Sequence, residues 1–295
     1  MKLFLQIVLM TLFALNAFAV QIETELVNTY EFGEKQAPAD VVLDFSGEKI
    51  VGIYNAYSGN YLTYSNEMLL NRHGSELLKG GNCFVRNGGF YYFCNNRRNS
   101  VDIFNGNFDI VDRITLPEKF KGEFDPTDIT VLDNKIYITD NDNHRIVVYS
   151  TNDGSVKTIG KFGENRIEFW YPYSIIAGSE GTLFVSEVLG TRVQKINPPA
   201  DFNGFIGGWG VKAGEFYRPT GIALYNNQHL FVADGYTGLI QVMSKDGDFE
   251  GVLLNSKGEK IKFGSPTHIR IFRDTLGVVD AWEKKVYIYK VKVLN

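Results

Sequence analysis

One period dominates this chain. Proline recurs at positions 126, 172, 219 and 266, at intervals of 46, 47 and 47 residues, and each copy opens the same kind of segment: Pro126-Thr127-Asp128-Ile129, Pro172-Tyr173-Ser174-Ile175, Pro219-Thr220-Gly221-Ile222 and Pro266-Thr267-His268-Ile269. A phenylalanine stands two or three residues ahead of each proline, at Phe124, Phe169, Phe216 and Phe263. Further on comes an apolar run ending in an acid: Ile136 to Asp140, Leu183 to Glu187, Leu230 to Asp234 and Leu276 to Asp280. A short loop leads to a third alternating run, such as Arg145-Ile146-Val147-Val148-Tyr149. Period-2 alternation bounded by turn residues (Asp133-Asn134, Asn226-Asn227) reads as short antiparallel strands. Two weaker copies lie upstream, Val51 to Asn55 followed by Tyr61 to Tyr64, and Tyr91 to Asn95 followed by Val101 to Phe104. The acid position therefore reads Asn55, Asn95, Asp140, Glu187, Asp234 and Asp280, which makes six units.

A three- or four-stranded unit cannot bury both faces of its own sheet, so such units must stack on one another. No polar cap of an open solenoid is visible, and the expected solution is a ring of six blades. The run Asp140-Asn141-Asp142-Asn143-His144-Arg145-Ile146, after Pro126-Thr127-Asp128-Ile129, resembles the repeat of the NHL family, and Gly160-Lys161-Phe162-Gly163 and Gly207-Gly208-Trp209-Gly210 resemble its glycine-aromatic stretch. The resemblance is strong from Asp125 onward and implies an all-β, six-bladed NHL β-propeller. Only three strands follow Pro266, whereas Glu25 to Gly33 reads like the missing fourth. That N-terminal segment is expected to pair with Val286 to Val293 and close the ring, removing two open sheet edges.

The first 19 residues read as a signal peptide: Lys2, then an apolar stretch from Leu3 to Leu15, then small residues at Ala17 and Ala19. Residues 20–295 are then one propeller domain, exported to a periplasm or the cell exterior, with no membrane span. Two cysteines remain, Cys83 and Cys94. A two-residue hairpin turn at Gly88-Gly89 sets positions summing to 177 opposite each other, and 83 + 94 = 177. A disulfide is expected, with two buried free thiols as the alternative.

In this fold the loops entering each first strand share a face with the loops between second and third strands. That face should carry the acids Asp40, Asp128, Asp140, Asp142, Glu187, Asp234 and Asp280, and the aromatics Tyr57, Trp170, Tyr171, Tyr173, Tyr217, Tyr236 and Trp282. Acids beside aromatics suit a cationic, sugar-like or peptide ligand. The other reading is that repeated acids bond loop amides, as Asp does in turns. The non-repeated side chains Trp170, Tyr171, Tyr173, Tyr217, Arg218 and Trp282, with Glu187 and Asp234 as polar anchors, form the candidate ligand site.

Net charge is -4, which together with export and an acidic rim argues against nucleic acid. The chain lacks a G-x-S-x-G elbow, a P-loop and a dinucleotide fingerprint. The Asp140 to Asn143 run starts like a calcium loop but has Arg145 and Thr151 where an EF-hand needs Gly and Glu. Four histidines are too few and too scattered for a His-rich zinc site. The expectation is a cofactor-free binding or scaffolding module for a protein or peptide, with a place in an envelope complex as a further possibility. The alternative is a propeller hydrolase or lyase with a divergent metal site at Asp40, Asp128 and His268.

Overall fold

In a computed structural model that describes residues 20–44 and 49–294, the strands form six antiparallel sheets of four strands each. The expected signal peptide lies outside the described residues. The innermost strands are Pro38–Asp44, Phe84–Asn87, Pro126–Leu132, Pro172–Ala177, Pro219–Tyr225 and Pro266–Phe272, taken as blades one to six. The expected closure is present. Gln21–Glu31 pairs antiparallel with Lys285–Leu294, in a register running from Gln21 opposite Leu294 to Glu31 opposite Lys285, and supplies the fourth strand of blade six.

Buried apolar side chains fall into six clusters among the described residues, one at each seam between neighbouring blades. The seam that closes the ring sets Val41, Val51 and Ile53 of blade one against Val279, Val286 and Ile288 of blade six. The repeat phenylalanines belong to these seams, since Phe169 and Phe216 are fully buried. Glycine explains how they fit. A Cβ on Gly160 or Gly207 would sit 2.4 or 2.3 Å from the ring of Phe169 or Phe216, and both glycines have a φ near +80° (86° and 74°) that other residues rarely adopt.

Phe84 pairs with Phe93, so Cys83 and Cys94 stand opposite each other, 5.0 Å apart at Cα, and they form a disulfide. Gly88-Gly89 makes the turn between these strands.

Five of the six innermost strands carry a register irregularity just after the proline, between Pro38 and Asp40, Pro126 and Asp128, Pro172 and Ile175, Pro219 and Ile222, and Pro266 and His268. Such a bulge inserts a residue that has no partner and re-aims the side chains around it. Two tiers of side chains follow along the central channel. The first holds Thr127, Tyr173, Thr220 and Thr267, and the second holds Asp40, Asp128, Ser174 and His268.

Candidate functional site

The four acids at the repeated position take the turn-bonding role. Asp140 accepts from the Asp125 N–H, from Asn143 and from Arg145. Glu187 accepts from the Trp170 N–H, Arg192 and Gln194. Asp234 accepts from four backbone N–H groups, those of Tyr217, Arg218, Tyr236 and Thr237. Asp280 likewise accepts from Gly264, Ser265, Trp282 and Glu283. All four are completely buried and tie the loop that enters the blade to the loop between its second and third strands. Burial raises the Glu187 carboxyl above its ordinary range, against the opposing pull of Arg192. Neither Glu187 nor Asp234 presents a free oxygen to a ligand.

At the mouth of the channel on this loop face is a cavity of about 330 Å³, lined by Asn141 of blade three, Tyr171, Tyr173, Val188 and Leu189 of blade four, Arg218 and Thr220 of blade five, and Ser265 and Thr267 of blade six. Three of the candidate residues read from the sequence converge here: Tyr171, Tyr173 and Arg218. The other aromatics lie outside the cavity on the loops. Tyr217 stacks on Tyr236 with ring centres 4.0 Å apart, Trp170 meets Phe162 edge-on, and Trp282 is 80% exposed.

Tyr171 owes its position to an unusual backbone. Its φ is +57°, the left-handed region that bulky residues avoid. Three contacts hold it there: its N–H donates to His144 Nδ1 at 3.1 Å, its ring packs edge-on against the His144 ring, and its carbonyl accepts from the Val188 N–H. Accepting that bond fixes His144 with an unprotonated Nδ1. Burial lowers the His144 pKa, consistent with the neutral ring. The histidine of the repeat motif thus positions an aromatic of the next blade.

Below the mouth the second tier forms a polar plug. Arg270 reaches across the channel, its Nη2 lying 2.7 Å from both Asp40 Oδ2 of blade one and Asp128 Oδ1 of blade three, while Nη1 lies 3.2 Å from Asp128 Oδ2. The carboxylates also bridge blades: Asp40 accepts from the Phe84 N–H, and Asp128 from Ser174 Oγ and the Ile175 N–H. Burial pushes the Asp128 carboxyl upward, but the charge and hydrogen bonds of Arg270 prevail and leave it below the usual range. His268 joins them, within 4.8 Å of both carboxylates. Burial holds its pKa down, so the ring is neutral. The backbone of Thr127 lies near, yet neither ring nitrogen completes a hydrogen bond among the described residues. Arg270 was missed in the sequence. It could have been found two residues beyond His268, on the same face of a strand whose counterparts carry Asp40 and Asp128.

The NHL-repeat model matches residues 125–149, the segment that contains Asp128, Asp140 and His144. The chain is a six-bladed β-propeller that carries an NHL repeat. Among curated proteins none matches its sequence. Solved structures share its fold at low identity. A catalytically inactive virginiamycin B lyase from Staphylococcus aureus, solved with quinupristin, superposes with a TM-score of 0.66 at 15% identity, covering 92% of this chain and 99% of that one. An auxiliary nutrient binding protein from Bacteroides thetaiotaomicron gives 0.67 at 11% identity, covering 92% and 77%. A structural-genomics protein of unknown function from the same organism gives 0.67 at 15%, covering 92% and 76%. At such identities the likeness speaks for the fold alone.

In this propeller Asp40, Asp128 and His268, the metal ligands of the alternative reading, do come together. As a donor set they fit a divalent ion poorly, because Arg270 already supplies the positive charge between the two carboxylates. A metal would have to expel a buried guanidinium from three hydrogen bonds. No helix of the described residues is long and apolar enough to cross a membrane.

Proposed function

We propose that this NHL propeller is an exported binding module that receives part of a protein or peptide partner in the pocket at the mouth of its channel. The pocket itself carries the reading. It gathers Tyr171, Tyr173 and Arg218 from two adjacent blades around about 330 Å³, within the size range of ligand sites. Rigid aromatics beside an arginine are the side chains that most often dominate binding energy. Export is supported by the signal-like N-terminus and by the Cys83–Cys94 disulfide, which persists in oxidising compartments.

The test places a photo-cross-linking residue at Leu189, half exposed on the pocket rim, or at Phe249, 41% exposed on the opposite face. After incubation with envelope extract of the source organism, a discrete adduct is expected from the Leu189 position only. Equal labelling from both positions, or none from Leu189, would refute the reading.

A second reading rests on the convergence of Asp40, Asp128 and His268: a hydrolase or lyase with a metal in the channel. Elemental analysis of the purified protein decides between them. The binding reading expects less than a tenth of an equivalent of any divalent metal, and a stoichiometric metal lost in an Asp128→Asn variant would favour the enzyme.

A further inference from the structure

We propose that the mouth pocket selects a carboxylate, carried on a peptide with an apolar residue next to it; this rests on the reading of the pocket as the binding site. Acids beside aromatics on the loop face suggested, from the sequence, a cationic, sugar-like or peptide ligand. The structure redistributes those charges. Every acid of the repeated position is buried beneath the loops with its oxygens taken up by N–H groups and side chains. No carboxylate lines the pocket, and its one charged side chain is Arg218. That side chain is exposed and makes no ion pair among the described residues; the backbone of Arg218 is engaged instead, its N–H donating to Asp234 and its carbonyl accepting from the Gly235 N–H.

The neighbouring groups are donors too. Tyr171, Tyr173 and Ser265 line the cavity and their hydroxyls have no partner among the described residues, whereas Thr220 and the Asn141 amide nitrogen already donate to the carbonyls of Pro266 and Pro172. Burial, then Asp128 and Asp40 below, raise the Tyr173 pKa, so this phenol stays protonated and can donate. The plug beneath carries two carboxylates against one guanidinium, a net negative charge that an incoming anion would feel. Its oxygens are directed to Arg270, Ser174 and backbone N–H groups of four blades, and the first-tier side chains separate it from the mouth.

A planar guanidinium with two or three hydroxyl donors matches a carboxylate, which accepts up to four hydrogen bonds and binds arginine through two of them. Val188 and Leu189 on one wall suit an apolar side chain adjacent to that group. A cavity of about 330 Å³ has room for one or two residues rather than a folded element.

Two sources can present this group to a peptide-binding pocket, a chain terminus or an acidic side chain. Three random tetrapeptide pools separate them: free C-terminal acids lacking Asp and Glu, the corresponding amides, and amides that include Asp and Glu. Each pool is passed over the immobilised protein and over an Arg218→Gln variant, and retained peptides are quantified by mass spectrometry. The expected result is about tenfold or greater enrichment of the first or third pool over the plain amides. Enrichment in the first identifies a terminus and in the third a side chain. The preference should vanish in Arg218→Gln while its melting temperature stays at the wild-type value. Equal retention of acids and amides by the wild type would overturn the carboxylate assignment yet leave the pocket reading intact. Persistence of the preference in Arg218→Gln would overturn it as well, by moving the anion site elsewhere. If no pool is retained, the assignment fails, and the Leu189 cross-link then reports separately on the pocket.

Discussion

Blades three to six and blades one and two make the same sheet by different chemistry. In the later blades a buried acid gathers the loops, and two of them add an arginine at the start of the third strand: Asp140 with Arg145, and Glu187 with Arg192, each pair 2.7 Å apart. In blades one and two the position is Asn55 or Asn95. Asn55 accepts from the Ala37 and Ser58 N–H groups while its Nδ2 finds no partner among the described residues, and Asn95 donates to Asp102 and Leu77 while its Oδ1 finds none among them. The charge has moved onto Asp102 of the third strand, which meets Arg113 of the fourth. The seam between these two blades is filled with rings, Tyr54, Tyr61, Phe84, Phe93 and Phe104, and the disulfide lies in blade two. The lesson is that the fold requires a bound loop and a filled seam, and either an ionic clasp or an aromatic cluster with a covalent bond meets the requirement.

This contrast can be broken most directly at the clasp. Asp140→Ala removes acceptors for Asp125, Asn143 and Arg145 inside the protein, and should cost about 3–5 kcal/mol, because it leaves a partly buried arginine without its counter-charge. Asn95→Ala should cost about 1–2 kcal/mol, since half of that amide is already unsatisfied. Urea unfolding of both variants measures the difference. Equal losses would show that the asparagines carry as much of the structure as the acids.

Removing the disulfide ranks next. A Cys83→Ala/Cys94→Ala protein should lose about 2–3 kcal/mol, as expected for so short a loop. Hydrogen exchange should report that loss in blades one and two, and leave amides of blades four and five unchanged. A uniform loss around the ring would mean that the blades unfold as one unit and that the regional comparison has no energetic content.

Acid sharpens the comparison further. His268 and Asp128 both have folded pKa values below their unfolded ones. In each case the unfolded chain binds the proton first, so stability rises with pH across the interval between the two values. As pH falls, the His268 contribution should start to decline below about 6.5 and the Asp128 contribution below about 4, the ordinary values of these groups. His73 and His144 are shifted the same way, so His268→Gln should flatten only part of the slope between pH 5 and 7. A slope unchanged in that variant would show that the ring is not held neutral in the channel. The smallest effect belongs to Arg218→Gln, expected to change stability by no more than about 0.5 kcal/mol, since an exposed side chain without partners contributes little. A larger loss in thermal unfolding would place Arg218 among the structural residues.

The ring, its six units, the closing strand and the disulfide were all legible in the sequence, because period-2 alternation and turn spacing are local signals that add up over repeats. Register arithmetic sufficed for Cys83 and Cys94, since a two-residue turn leaves one pairing. The site was legible in part. Tyr171, Tyr173 and Arg218 stood out because the repeat did not require them. Which way an acid faces cannot be read from a repeat, and Glu187 and Asp234 turn inward to the loop amides. The pocket residues Val188, Leu189, Ser265 and Thr267 carry no local signature, since only ring closure brings blades four and six to one opening. Arg270 escaped notice for the same reason: its partners are 142 and 230 residues away along the chain.

The way the ring is fastened also fixes how it responds to force. Gln21 lies opposite Leu294, so both ends of the closing pair leave the sheet at the same edge. Traction applied between those two residues pulls across the ladder instead of along it, and an antiparallel ladder loaded in that direction parts one hydrogen-bonded pair at a time. A propeller tethered at one end and drawn on at the other would therefore peel at its clasp under low load, while the same tension applied through a hairpin turn within blade four would meet the full resistance of two packed seams.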